Sequence, residues 1–360
     1  MRLVPLVCAS FVLFTSLGAS RAAAQDGRAL FLQHCASCHG ETGDGHGTAT
    51  LDRAARSFKE GGFSYGNTQD AVVRTITFGI PGTPMPAAPA VLNEADRNAL
   101  ASYVLALGPV TTEAGTAESR LDVTDRPRIA RGKLDPIVEG APARPRGLCV
   151  GTTDGFTFEY RTDDVRLLGV RQGAFVDRAD WRGRGGDALK PLGTLLLVAG
   201  RGDPAPTFSD PRTGAPFGAR LASTSTEHGV PLLGYRLFEA GNSTAIGSVG
   251  EAPSALHGTG GSGFTRHLSI DSTRAVRVRA ADAGPAWVAS GISWIVRRRG
   301  DGSFEACSVT GLRAGEVLVP DGGGAEFVLG PGAREVEIRT LLAPRWDDAI
   351  QARWLAGVAP

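Results

Sequence analysis

The periodicity of apolar residues changes part-way along the chain, and this change limits the folds that the chain can adopt. In residues 25–108, apolar positions recur with the period of an α-helix, and Asn93 is placed to cap the clearest helix. In residues 147–360 the pattern is one of short strands, and apolar and charged residues alternate in residues 275–279 and 335–339. The sequence therefore predicts a multidomain protein, in which a small all-α domain is followed by an all-β antiparallel domain of sandwich-like form.

Residues 109–146, between the two predicted domains, have a different character. They are polar and contain Pro127, Pro136, Pro142 and Pro145. Proline is disfavoured in helix interiors and in central strands. We interpret this segment as a linker.

Residues 1–24 have the features of an export signal. Arg2 provides a positive n-region, residues 3–17 are mostly apolar, and Ala24 completes a run of small residues. The apolar run is shorter than the roughly 20 residues that a membrane-spanning helix needs, which disfavours an uncleaved anchor. We expect a signal peptide that is cleaved after Ala24, and a mature protein that is periplasmic or otherwise exported.

The charges of the chain nearly balance, with 38 lysine and arginine residues against 37 aspartate and glutamate residues. Proteins that bind nucleic acids or anionic membranes normally carry an excess of basic residues. The composition therefore predicts no nucleic-acid partner.

Cys35, Cys38 and His39 form the most specific motif of the chain. Thiols at positions i and i+3 lie on one helical turn, where each can bond a vinyl group of a porphyrin, and the histidine that follows is placed to bind the iron. This spacing predicts one covalently attached haem c, and attachment after export agrees with the signal peptide. A redox dithiol would not require His39, and a zinc site would need a second pair of ligands that the sequence lacks.

The sixth iron ligand is expected from Met85, the only methionine after the export signal. A thioether sulfur suits a low-spin haem, and Pro84 and Pro86 would hold its loop stiffly. His34 and His46 are the rival ligands. His34 shares a helix with the motif and cannot reach the opposite haem face. His46 follows in a glycine-rich loop that we expect to be solvated, so that it could ligate only if Met85 were displaced.

Residues 25–108 resemble a class I c-type cytochrome domain. The resemblance depends on glycine, aromatic and ligand positions in the right order: Gly27 and Phe31 before the cysteine motif, Gly43 and Gly45 after it, residues 82–86 around Met85, and Leu100 and Tyr103 in the closing helix. It implies a small all-α cytochrome c domain whose first and last helices cross near Gly27, Phe31 and Tyr103. It also implies His39 and Met85 as axial ligands, which leave no open iron position for a substrate.

The predicted β domain gives fewer indications of function. Its residues 175–177, 181–186 and 234–237 are similar to parts of a β-rich module that accompanies cytochrome domains in some exported bacterial proteins. Trp181 with Arg182 and Arg184 would suit a sugar or an acidic partner, although a tryptophan packed at a sheet edge under arginine stems is the plainer interpretation. A carbohydrate or protein ligand of this domain is therefore a hypothesis.

Cys149 and Cys307 are the two cysteines that remain after the signal peptide and the haem motif. In an exported protein an even remainder favours a disulfide, here one that joins early and late strands. Two buried free thiols are the alternative.

Together these features predict an exported mono-haem cytochrome that transfers electrons. They favour an electron carrier over an enzyme. Its expected partners are redox proteins such as a dehydrogenase or an oxidase. The alternative is a haem-containing periplasmic oxidoreductase, or a subunit of one, in which the β domain binds a small substrate such as a sugar. The sequence shows no nucleotide-binding glycine motif or nucleophile elbow that would support this alternative.

Overall fold

The computed structural model of the chain describes residues 26–52, 54–59, 63–66, 68–108, 119–179, 187–256, 262–282, 288–290, 294–321 and 324–350. Helices come first and strands follow, which confirms the predicted order of the two folds. The helices are α1 (Gly27–His34), α2 (Ala36–His39), α3 (Gln69–Phe78) and α4 (Glu94–Leu107). The expected signal peptide, residues 1–24, lies outside the described residues.

The sequence predicts Asp26 and Asn93 as helix caps, and helices α1 and α4 begin directly after these two residues. The Asn93 side chain accepts a hydrogen bond from Asp96 N at 3.0 Å, and the Asp96 side chain accepts one from Asn93 N at 3.1 Å. This reciprocal capping box satisfies backbone donors that the first turn of α4 leaves without helical partners. Asp26 caps α1 by accepting a hydrogen bond from Arg28 N.

Helices α1 and α4 cross where Gly27 lets their backbones approach. A Cβ atom at Gly27 would lie 2.3 Å from the carbonyl oxygen of Ala99. Beside the crossing, the rings of Phe31 and Tyr103 pack with their centroids 5.3 Å apart. These contacts confirm the expected crossing, and Phe31 is fully buried with Leu100 in the apolar core of the helical region.

Twenty strands follow the helices within the described residues. In chain order they are β1 (Arg120–Leu121), β2 (Arg128–Leu134), β3 (Arg144–Gly151), β4 (Phe156–Arg161), β5 (Arg166–Gln172), β6 (Val176–Asp177), β7 (Lys190–Pro191), β8 (Thr194–Val198), β9 (Phe208–Ser209), β10 (Gly218–Ser225), β11 (Leu232–Phe238), β12 (Ala245–Leu256), β13 (Ser262–Ser272), β14 (Val276–Ala281), β15 (Val288–Ser290), β16 (Trp294–Arg298), β17 (Phe304–Thr310), β18 (Val319–Asp321), β19 (Gly324–Leu329) and β20 (Gly332–Ala343). We call the described residues from 119 onwards the β region.

The strands of the β region form four sheets. Their strand orders are β1-β6-β7, β2-β3-β4-β5-β8, β10-β11-β12-β13-β20-β17-β16-β15 and β18-β19-β14-β9. All neighbouring strands in these sheets are antiparallel, which confirms the antiparallel all-β prediction. The Gly-Asp-Gly sequence of residues 300–302 predicts a hairpin turn, and this turn joins β16 and β17, in which Arg298 pairs with Phe304.

One apolar core is shared by three of the four sheets. Phe158 of β4, Tyr235 of β11 and Phe327 of β19 are 0%, 1% and 1% exposed and all belong to it. Because inward-facing side chains of different sheets meet there, these sheets stabilise one another and form one folding unit.

The predicted linker contains strands. Arg120–Leu121 forms β1, and Arg128–Leu134 forms β2, which pairs with β3 in the five-stranded sheet. Pro127 and Pro136 flank β2 and do not interrupt it, so its ladder keeps its backbone donors. The part of the chain with β structure therefore begins earlier than the composition indicates.

The disulfide expected between Cys149 and Cys307 is wrong. Both side chains are free thiols and fully buried. Cys149 lies on β3 among apolar residues that include Leu168 and Val176, whereas Cys307 lies on β17 in the core shared by the three sheets. Because the two thiols belong to separate apolar clusters, each fills space as a small apolar group, which was the alternative interpretation.

Candidate haem site

The cysteine motif folds into one turn between two helices. Cys35 ends α1, with its N–H donating to Phe31 O at 2.8 Å, and it also begins α2. His39 N donates to Cys35 O at 2.9 Å, so both thiols and the imidazole belong to the same turn. Neither Cys35 nor Cys38 is in a disulfide. This turn therefore presents the donor set that covalent haem attachment needs.

His39 is held in a definite orientation by its neighbours. Its Nδ1 lies 3.0 Å from the carbonyl oxygen of Arg56, and because a carbonyl can only accept, Nδ1 carries the proton. The imidazole stacks on Phe58, with ring centroids 4.5 Å apart and planes inclined by 22°. Burial lowers the pKa of His39, which favours the neutral imidazole. The lone pair of Nε2 is then left for a metal ion, as is usual for a metal-binding histidine.

The thiol of Cys35 does not have the environment of a redox-active cysteine. Burial and then the neighbouring Cys38 raise the pKa of Cys35 to about 11. Redox dithiols instead have a lowered thiol pKa, because the thiolate is the attacking species. The surroundings of Cys35 therefore disfavour the redox-dithiol alternative.

A glycine-rich loop after the motif packs against it. Gly45 N donates to His39 O at 2.8 Å, and Gly47 N donates to Cys38 O at 3.2 Å. A Cβ atom at Gly47 would lie 2.1 Å from a carbonyl oxygen of α2, so this close approach requires glycine. The side chain of His46 is 90% exposed, which agrees with the solvated position that the sequence predicts.

Met85 lies in the loop between α3 and α4, and its side chain is half-buried. Ile80 N donates to Met85 O at 3.1 Å, which closes the loop on itself. The Thr83 hydroxyl donates to Ile80 O at 2.7 Å and accepts from Met85 N at 3.3 Å. The backbone that carries Met85 is therefore restrained by hydrogen bonds as well as by the flanking prolines.

Two residues that contact His39, Arg56 and Phe58, could not be identified from the sequence. Arg56 acts through its carbonyl oxygen, which every residue type has, so no side-chain pattern marks it. Phe58 lies outside the helices and has no periodic pattern around it. Only the close contacts of the folded chain reveal that both residues orient His39.

The polar residues that the sequence suggests for ligand binding in the β region do not form a site among the residues that the structure describes. Trp181, Arg182 and Arg184 lie outside the described residues. Asp177 and Asp180 are near enough in sequence to suggest a pair of carboxylates, and Asp180 also lies outside the described residues. Asp177 is buried and accepts a hydrogen bond from the Ser119 hydroxyl at 2.7 Å, which indicates a structural role.

Comparisons with known proteins agree with the geometry of the cysteine motif. Residues 22–104 match the family model of cytochrome c oxidase, cbb3-type, subunit III. The chain is 38% identical over 94 residues to cytochrome c55X of Stutzerimonas stutzeri, and this match covers 25% of the chain and 76% of that protein. The chain belongs to the c-type cytochromes. It is also 37% identical over 87 residues to the cbb3-type cytochrome c oxidase subunit CcoP of Azospirillum brasilense, a match that covers 24% of this chain and 29% of that subunit.

The cytochrome domain of the chain is therefore the matched part, residues 22–104, and the β-rich region beyond it is separate. A c-type cytochrome domain carries covalently attached haem c and has a haem-based electron-transfer role, and Cys35, Cys38 and His39 fit its attachment motif. Among the described residues, no helix has both the length and the apolar content to cross a bilayer.

One solved structure, from a reducing HAO-like protein complex of Kuenenia stuttgartiensis, is 24% identical to the chain. The alignment covers 24% of this cytochrome and 42% of that chain. Its TM-score of 0.22 is too low to indicate a shared overall fold.

Proposed function

We propose that this cytochrome is an exported electron carrier with a single haem, bound covalently by Cys35 and Cys38 and ligated by His39 and Met85. The hydrogen bond between His39 Nδ1 and the Arg56 carbonyl carries the proposal, because it leaves Nε2 as a basic iron ligand. Haem supplies a one-electron couple, and two protein ligands leave no coordination position for a substrate. The domain would therefore exchange electrons and not transform a substrate.

The first experiment examines the exported protein itself. If residues 1–24 are removed, its mass should equal that of the chain from Gln25 onwards plus one haem, and its spectrum should be that of a low-spin, six-coordinate haem. Colourless material without added porphyrin mass would contradict the proposed function. A chain that keeps residues 1–24 would contradict the cleavage after Ala24 alone.

Ligation by Met85 is tested by the variant Met85→Ala. Loss of the thioether should convert the haem to high spin and lower its reduction potential by on the order of 0.1 V, because the thioether favours ferrous iron. Optical spectra and a redox titration measure both effects. His46→Ala removes an exposed histidine and should leave spectrum and potential unchanged. An unchanged spectrum in Met85→Ala would exclude Met85 as a ligand.

Redox proteins are the proposed partners of the carrier. The relative CcoP is, by its name, a subunit of a cytochrome c oxidase, and it shares the haem-motif region with this chain. An oxidase would accept electrons from the haem, and a dehydrogenase would supply them. The β region would then serve to dock one of these proteins.

The alternative function, a periplasmic oxidoreductase whose β region binds a small substrate such as a sugar, has one observation in its favour. A cleft of about 550 Å³ is lined by residues that include Asp163, Arg220 and Asn242, and its volume is in the range of small-molecule sites. Reduction of the haem by an added sugar, without a second enzyme, would favour this alternative over the carrier.

A further inference from the structure

The loop that carries Met85 is in contact with the β region as well as with its own helices. Arg146 of β3 donates from Nη2 to the carbonyl oxygen of Gly79 at 2.8 Å. Gly79 follows Phe78, the last residue of α3, and begins this loop. We call the segment from Gly79 to Pro86 the methionine loop.

The side chain of Arg146 is buried and held by several neighbours. The residue is 7% exposed, and its guanidinium lies 5.5 Å from the ring centroid of Tyr65 and 5.6 Å from that of Phe78. Its Nη1 is 3.6 Å from a carboxylate oxygen of Asp163. Burying a guanidinium is costly unless partners satisfy it, so these contacts fix both the side chain and the carbonyl of Gly79 that it binds.

A second contact lies at Gly82, further along the methionine loop. A Cβ atom at Gly82 would lie 3.1 Å from Thr224 Cγ2 and 3.4 Å from Arg131 Nη2. Arg131 of β2 donates to the Thr224 hydroxyl of β10 at 2.6 Å, so a hydrogen bond joins the two strands that face the loop here. The β region therefore contacts the loop at its start and near its middle.

The internal hydrogen bonds of the loop connect these contacts to Met85. Ile80, next to Gly79, donates from its N to Met85 O, and its own carbonyl accepts from the Thr83 hydroxyl. A displacement of Gly79 would therefore move the backbone of Met85. A thioether is a neutral ligand, and its bond to iron is correspondingly sensitive to how firmly the loop is held.

We propose that the β region clamps the methionine loop through Arg146, and that this clamp stabilises the bond between Met85 and the haem iron. Arg146 is then a positioning residue, which acts on the iron only through the loop. The proposal rests on the proposed ligation by Met85. It gives the β region a role within the chain that is independent of any docked partner or small ligand.

Imidazole binding to the full-length ferric holoprotein tests the clamp. Imidazole competes with the methionine sulfur for iron, so its apparent affinity rises when the loop is held less firmly. Arg146→Met keeps apolar contacts with the two rings and removes the donor to Gly79. It should bind imidazole about tenfold more tightly than the wild type and weaken the methionine-to-iron charge-transfer absorption.

Two further variants serve as controls. Arg146→Lys keeps a cationic donor and should restore part of the wild-type behaviour. Arg128→Met makes the same chemical change at an exposed position of β2 and should leave the imidazole affinity unchanged. Wild-type affinity and charge-transfer absorption in Arg146→Met would overturn the clamp and leave the ligation by Met85 intact. A wild-type protein without that absorption, whose imidazole affinity is unchanged in Met85→Ala, would overturn both proposals.

A second route covers the case in which Arg146→Met does not fold. Thr224→Leu enlarges the side chain beneath Gly82 and leaves every residue of the methionine loop as it is. Thr224 Cγ2 lies 3.1 Å from the position that a Cβ atom would take at Gly82, so the larger leucine side chain should press on the loop and increase imidazole affinity. An affinity equal to that of the wild type in Thr224→Leu would contradict the clamp.

Discussion

At the scale of single residues, Gly27 determines how closely the first and last helices of the cytochrome domain approach. In Gly27→Ala the new methyl group would overlap the Ala99 carbonyl, 2.3 Å from its Cβ, and backbone atoms have little freedom to yield. We expect the free energy of unfolding to fall by about 3 kcal/mol, as for a tightly overpacked core. Denaturant unfolding followed by Soret absorbance measures this loss.

The matched control is Gly300→Ala, where a Cβ atom would meet nothing within 4 Å. It makes the same change in backbone freedom without a clash and should alter the free energy of unfolding only slightly. Equal stability in the two variants would mean that α1 and α4 can move apart at no cost.

Single residues also show which features of the folded protein can be predicted from the sequence. Cys35, Cys38 and His39 are predictable because their chemistry depends on side-chain type and short spacing. Arg297 is not predictable in this way. The run of arginines at residues 297–299 favours a solvated strand end, yet Arg297 is largely buried, and its Nη2 lies 2.6 Å from a carboxylate oxygen of Glu305. The partner lies on the neighbouring strand, so the pair exists only once the register of β16 and β17 is set.

At the scale of elements, helices were predicted better than strands because their signals are local. The caps Asp26 and Asn93 lie within a turn of the backbone groups that they satisfy. The apolar pattern predicts a helix over residues 69–80, and α3 ends two residues earlier, at Phe78, because Gly79 adopts a φ of 66°. Each of these features depends on residues only a few positions apart.

The sequence predicts some strands of the β region and misses others. The apolar pattern predicts strands over residues 156–161 and 194–198, and β4 and β8 have these limits. Strands β10 and β12 were missed, because glycine, serine and alanine interrupt the alternation of larger side chains. Both are nevertheless long strands of the eight-stranded sheet, where pairing with β11, which lies between them, compensates for weak local preference.

At the scale of the whole molecule, a buried ionic cluster joins two sheets of the β region. Glu251 is fully buried and accepts hydrogen bonds from the Tyr160 and Tyr235 hydroxyls, each at 2.8 Å, and from Arg266 Nε at 2.7 Å. Tyr160 belongs to the five-stranded sheet and the other three residues to the eight-stranded sheet. These bonds cross the shared apolar core at one point and fix how the two sheets face each other.

The protonation of Glu251 follows from this environment. Burial alone would raise the pKa of Glu251, but the positive charge of Arg266 and the hydrogen bonds from Arg266 and the two tyrosines outweigh it and hold the pKa below its ordinary value of 4.5. The folded chain therefore binds fewer protons here than the unfolded chain does in mildly acidic solution. The stabilisation by the carboxylate is complete above pH 4.5 and is lost as the pH falls through the lowered folded-state value.

The variant Glu251→Gln tests this account of the cluster. At neutral pH the free energy of unfolding of the β region should fall by about 3–5 kcal/mol, because Arg266 is left as a buried charge without its carboxylate. Below pH 4.5 the difference from the wild type should shrink, since the wild type then loses the same ion pair on protonation. Denaturant unfolding followed by far-ultraviolet circular dichroism at several pH values measures both effects, and Glu227→Gln, at an exposed position, is the control. A difference that stays constant from neutral pH down to pH 3 would mean that charge is not what the cluster contributes.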